Sequence, residues 1–159
     1  MRPYSLIIVA AAALALVACS QGAEPAAPPA STDPAPLLAG VDLTRPLRAL
    51  GNEPFWAVEF TGGEMIYSGV DRPEQRAPQP APVLQGTVAT WSTTTSAGAP
   101  LKVTLSATEC SDGMSDRTYP LTSIVEIAGE TLTGCAASSA ALANAGESGL
   151  VVETAQPAA

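Results

Sequence analysis

Two short stretches of this chain concentrate side chains able to do chemistry. The first is Glu53-Pro54-Phe55-Trp56, where a carboxylate stands just ahead of an indole. A carboxyl group held against an indole loses solvation, its pKa rises, and it becomes able to act as a general acid. The second runs from Glu109 to Asp116, where Glu109, Asp112 and Asp116 join Ser111 and Ser115 in one oxygen-rich loop. Such a loop suits a hard cation such as Ca²⁺, which takes about six to eight oxygen ligands. Glu53 with Asp112 or Asp116 across a barrel mouth is the minimum for a two-carboxylate hydrolase, provided the acids lie within about 10 Å. Each stretch also has a purely structural reading. Pro54 opens a strand, Trp56 is core and Glu53 bonds the neighbouring loop. Asp112 and Asp116 accept backbone N–H bonds around the Asp112-Gly113 turn, with Arg117 pairing to one of them. No bidentate Glu stands at the offset an EF-hand needs, so the turn-holding role is the expectation and no metal is expected.

Composition removes most other chemistry. The chain has no His, which excludes His-based triads and His-ligated metals. It lacks a Gly-rich phosphate loop, a Gly-x-Ser-x-Gly elbow and a Ser-x-x-Lys pair. Every nucleophile is left without a plausible base, so the expectation is a non-enzymatic protein with no cofactor. Seven Lys and Arg against 15 Asp and Glu give −8. That balance argues against nucleic acid, which needs a basic footprint, and suits a basic partner.

The three cysteines divide into one and two. Leu6 to Ala18 is an uncharged run of 13 residues behind the basic Met1-Arg2, too short to span a bilayer and fitting a secretory leader. It ends in Leu16-Val17-Ala18-Cys19-Ser20, which resembles the lipobox of bacterial lipoproteins. That resemblance implies cleavage after Ala18, lipidation of Cys19 and, with Ser20 following, an outer-membrane address on the periplasmic side. Loss of Arg2 leaves six basic against 15 acidic side chains, a net charge of −9. Cys110 and Cys135 then remain as an even pair in an oxidising compartment. The spacing is not C-x-x-C and no further soft ligand completes a metal site, so a structural disulfide is expected. Closing a loop of 26 residues, it is worth about 3.5 kcal/mol in the chain-entropy model.

The elements that must position these residues read as strands. Residues 19–42 carry the lipidated Cys19 and a Pro/Ala-rich tether, since Gln21 to Gly40 holds five Pro among Ala, Ser and Thr. Residues 43–137 read as a β-domain of about six strands. These are Phe55–Phe60, Glu64–Ser68, Val83–Trp91, Leu101–Ala107, Leu121–Ile127 and Thr131–Cys135, each with two-fold apolar alternation. Asp71 to Pro82, with four Pro, reads as a loop. The fold class expected is all-β, a small antiparallel barrel or sandwich. Residues 138–159 form an Ala-rich tail: either Ser138-Ser139 caps one short helix and Gly149–Thr154 adds an edge strand, or the tail is disordered.

The segments Gly51-Asn52-Glu53-Pro54-Phe55-Trp56 and Cys110-Ser111-Asp112-Gly113-Met114-Ser115-Asp116-Arg117-Thr118-Tyr119-Pro120, closing with Gly134-Cys135-Ala136, resemble an uncharacterised family of bacterial envelope lipoproteins. The resemblance covers Leu50 to Ala136 and implies a small envelope β-domain, found beside modules that resemble lysozyme inhibitors. It implies no activity. The expected function is that of a lipid-anchored periplasmic binding or accessory module, with Glu53, Trp56, Asp112, Asp116, Arg117 and Tyr119 as candidate binding residues. The alternatives are the carboxylate hydrolase and an inhibitor of a basic protein such as lysozyme.

Overall fold

The computed structural model describes residues 35–153. The leader 1–18, the lipidation site Cys19 and most of the tether lie outside the described residues. The elements are β1 (Leu37–Leu38), β2 (Val41–Asp42), β3 (Leu47–Asn52), β4 (Phe55–Phe60), β5 (Glu64–Gly69), β6 (Arg72–Pro78), β7 (Val83–Gln85), β8 (Val88–Thr94), β9 (Pro100–Ser106), β10 (Cys110–Ser111), β11 (Asp116–Tyr119), β12 (Leu121–Ile127), β13 (Glu130–Ser138), α1 (Ser139–Asn144) and β14 (Ser148–Leu150). Nine strands form one antiparallel sheet in the order β6-β5-β4-β3-β13-β12-β9-β8-β7. The sheet curls until its two sides meet: the Ser96 N–H, just past β8, donates to the Arg76 carbonyl of β6 at 2.8 Å. The expected all-β antiparallel fold is therefore present as a curled sheet.

Alternation explains the curl. Val58 and Phe60 of β4, Met65 and Tyr67 of β5, Trp91 of β8, and Leu101, Val103 and Leu105 of β9 all point inward and are buried. Most of their outward neighbours are polar, among them Glu59, Ser68, Thr90, Ser92, Lys102 and Thr104, as a sheet with one wet face requires. Phe60 and Trp91 meet edge-on with ring centroids 4.9 Å apart, the arrangement the ring quadrupoles favour. Outward-facing charges reinforce the register, since Arg48 stands opposite Glu59 and Lys102 opposite Glu126. The ion pairs span 3.8 and 2.6 Å respectively.

A second, smaller core covers the outer face of β13. Cys135 and Ala137 there pack with Tyr119, Ala141 of α1 and Val151. The helix begins where Ser138, its N-cap, accepts the Ala141 N–H at 3.0 Å. Parallel pairing of β11 with β14 then carries the chain back to Val151. Of the two readings of the tail, the described part thus takes the helix and an edge strand, over Ser148–Leu150.

Several local expectations change. The Pro-rich stretch read as a loop contains β6, which is tolerated because β6 is the last strand on its side of the sheet and has one ladder to supply. Val83–Trp91 is broken by a turn with Gly86 at φ +57° into the hairpin β7–β8. Strand β3 lacks a clear alternation because only Leu47 among its inward positions is large, Ala49 and Gly51 being small, while Leu50 on the other face is apolar too. The end of the expected tether is structured too: Leu38 and Val41 of the β1–β2 hairpin are buried in the main core.

Two glycines admit one indole. A Cβ on Gly51 would lie 2.3 Å from Trp56 Nε1, and one on Gly134 would lie 2.0 Å from the Leu50 carbonyl oxygen and 2.9 Å from Trp56 Cζ2. Trp56 therefore occupies space that any side chain at either position would take. Gly134→Ala is expected to lower stability by about 2 kcal/mol or more, because the clash includes backbone that cannot give way. Gly63→Ala, at an exposed turn with nothing within 4 Å, is the matched control and should be nearly neutral. Equal urea midpoints for the two variants would refute this packing.

Candidate functional site

The two motifs meet. The β3–β4 turn presents Asn52 and Glu53, and the loop between β10 and β11 presents Asp112, Gly113 and Met114. The Asn52 side-chain N–H donates to the Asp112 carbonyl at 2.7 Å and ties the two together. Between them runs a groove of about 490 Å³ with Gly51, Thr133 and Gly134 in its lining. The lining contains two carboxylates, Glu53 and Asp112, and no Lys or Arg.

Asp112 is the best-held group in the groove. Its Oδ1 accepts the Met114 and Ser115 N–H groups at 3.0 and 2.8 Å. Its Oδ2 accepts the Ser115 and Tyr119 hydroxyls, both at 2.8 Å. Burial alone pushes its pKa up. The four donors outweigh that and hold it at about 2. Tyr119, buried and donating to this anion, has its own pKa raised, first by burial and then by that bond. The loop is anchored at its base by the Cys110–Cys135 disulfide, with Cα atoms 5.5 Å apart. Tyr119 sits opposite Cys110 in the β10–β11 register, so bridge and phenol hold the loop from the same end. The turn-holding role expected for Asp112 is the one its bonds describe.

The remaining candidates separate. Asp116 is exposed on β11 opposite Ser148 and does not line the groove. Arg117 does not pair with Asp112 or Asp116; its Nε donates to the Gly146 carbonyl at 2.7 Å. The parallel docking of β14 brings that carbonyl within reach, a long-range contact with no trace in local spacing. Glu53 is exposed in the groove, whereas Trp56 is buried in the main core, beside a neighbouring depression of about 410 Å³ whose lining it shares. Among the described residues, no three His, Cys, Asp or Glu side chains gather as a metal-binding group. Positions not singled out from the sequence also shape the site: Asn52 bridges the motifs, and Met114 stands 69 % exposed at the rim. Both lie inside the two motifs, but nothing in their spacing distinguishes them. No protein-family description, no curated protein and no solved structure matches this chain.

Since the folded pKa of Asp112 lies below the unfolded value near 3.8, its contribution is complete above about pH 4 and is lost as pH falls toward about 2. Asp112→Asn is expected to cost about 1–2 kcal/mol at neutral pH. It should also flatten the acid limb of the stability curve in that window. Urea unfolding at stepped pH checks this, and parallel acid limbs for the two proteins would exclude Asp112 as the titrating strut.

Proposed function

We propose that this protein is a lipid-anchored component of the bacterial envelope, held through Cys19 at the periplasmic face of the outer membrane. Its β-domain acts there as a non-enzymatic binding module for a basic partner. The observation that carries this reading is the groove between the motifs, which contains Glu53 and Asp112 and no cation. Asp112 stays ionised because its donors favour the charged form. Glu53 is exposed and free to meet a Lys or Arg of the partner. The net charge of −9 left after removal of the leader adds long-range steering toward a basic surface.

A carboxylate hydrolase built on Glu53 and Asp112 is the second reading, favoured by their shared groove. It asks Glu53 to supply the proton, because a carboxyl with a pKa of about 2 does not carry one near neutral pH. Three of the four bonds to Asp112 come from its own loop and the fourth from Tyr119 at the end of β11, which suits a strut better than a reacting group. The binding module is the simpler account.

Lysozyme is a suitable basic probe. Titration calorimetry at low salt is expected to show binding that weakens steeply as salt rises. Glu53→Gln should weaken it by about tenfold, the effect of losing one charge contact of about 1.4 kcal/mol. Glu74→Gln, which makes the same charge change on β6, should leave it nearly unaltered. Equal effects of the two substitutions would mean net charge alone is at work, and absence of binding at low salt would remove lysozyme as a partner. Independently, Cys19→Ser is expected to move the protein from the membrane fraction to the soluble one.

A further inference from the structure

A second cavity lies at the mouth of the curled sheet, away from the groove. It has a volume of about 270 Å³ and is lined by Tyr67, Arg72, Pro73, Gln75, Ile127 and Glu130, with Ala128 at its edge. Arg72 at the start of β6 pairs with Glu130 at the start of β13. Those strands are not neighbours in the sheet, so the ion pair bridges the opening. Beneath it, Arg72 Nη1 also donates to the Tyr67 phenol oxygen at 3.3 Å. That leaves the phenol's own proton free to donate. Gln75, directly opposite Tyr67 in the β5–β6 register, has a buried side-chain oxygen with no hydrogen-bond partner. A buried carbonyl oxygen left unpaired is costly, and natural interiors rarely keep one without a use.

We propose that this mouth binds a neutral, hydroxyl-bearing ligand the size of a single sugar ring. Neutrality follows from the ion pair. An anion would compete with Glu130 for Arg72, a cation would compete with Arg72 for Glu130, and either would strand a charge. A hydroxyl supplies the two missing partners, donating to Gln75 and accepting from Tyr67 O–H. An amide side chain can present oxygen or nitrogen inward, and a hydroxyl answers both. The volume corresponds to roughly nine water molecules at about 30 Å³ each, the scale of one ring. Pro73, Ile127 and Ala128 supply apolar walls for its C–H faces, and the mouth of a curled sheet is a common place for such a site.

The test is heteronuclear NMR of the purified protein titrated separately with glucose, galactose, mannose and ribose, with acetate and methylammonium as charged comparators. At least one sugar is expected to shift the Gln75 side-chain amide together with the backbone signals of Ala128 and Glu130. Tyr67→Phe, which removes one hydroxyl from the cavity, should weaken that sugar about tenfold, the effect of one lost hydrogen bond. Gln75→Leu should abolish the response, and Tyr67→Phe carries the test alone should Gln75→Leu not fold. The proposal is overturned if none of the sugars moves these signals, if the response survives Tyr67→Phe undiminished, or if only acetate or methylammonium produces it.

Discussion

The close approach of β3 to β13 beside the Trp56 indole is the constraint on which the rest of this molecule depends. Where Gly134 faces Leu50, backbone comes so near that no side chain fits, and the indole fills the space beside Gly51. This fixes the pairing that sets Cys135 opposite Leu50. Because strand side chains alternate, Cys135 then points outward as Gly134 faces the indole. The disulfide to Cys110 follows, and with it the position of the loop that carries Asp112. The groove between the motifs is thus an outer consequence of how one tryptophan is seated inside.

Electrostatics decides which acids of the domain are left over for other contacts. Arg48, Arg72, Arg76 and Lys102 are all engaged in ion pairs with glutamates. Exposed pairs of this kind contribute little to stability, commonly about 0–1 kcal/mol each. Their larger effect is on where charge is left over. Arg117 is drawn to the Gly146 carbonyl, so the groove at the β3–β4 turn keeps its acids without a cation among its lining residues. Asp112 is neutralised in its bonding but not in its charge, and Glu53 is free in both respects.

Period-two alternation made the central strands legible, because β4, β9 and β12 bury large apolar residues on one face. It failed where apolar residues stand on both faces and all but one inward position are small, as in β3, and where a local rule was overridden by position in the sheet, as for the prolines of β6. The pairing of Cys110 with Cys135 was readable from parity and from the compartment the leader led one to expect. The strut role of Asp112 was readable from the Asp-Gly turn, although its fourth donor, Tyr119, comes from the far end of β11. The partner of Arg117 and the contact of Asn52 with Asp112 were not readable, since both arise only after distant segments pack. The short helix α1 was visible because its cap, Ser138, lies next to the run it starts.

Most of the residues that make the two motifs distinctive are consumed by the fold. Gly51, Gly134 and Trp56 are occupied with one another. Cys110 and Cys135 are joined, and Asp112, Ser115 and Tyr119 close a single hydrogen-bonded turn. Glu53, Met114 and the half-exposed Phe55 hold nothing inside the domain and are what the proposed recognition would use. A surface with one free carboxylate and two exposed apolar side chains has few anchors, and a few anchors carry most of the energy of an interface. Charge steering can make association with a basic partner fast, whereas the small anchor set limits how long the complex lasts. An acidic groove beside a disulfide-held loop would therefore suit the proposed rapid and salt-sensitive engagement. Lipid anchoring would complement it, because tethering raises local concentration and offsets modest affinity.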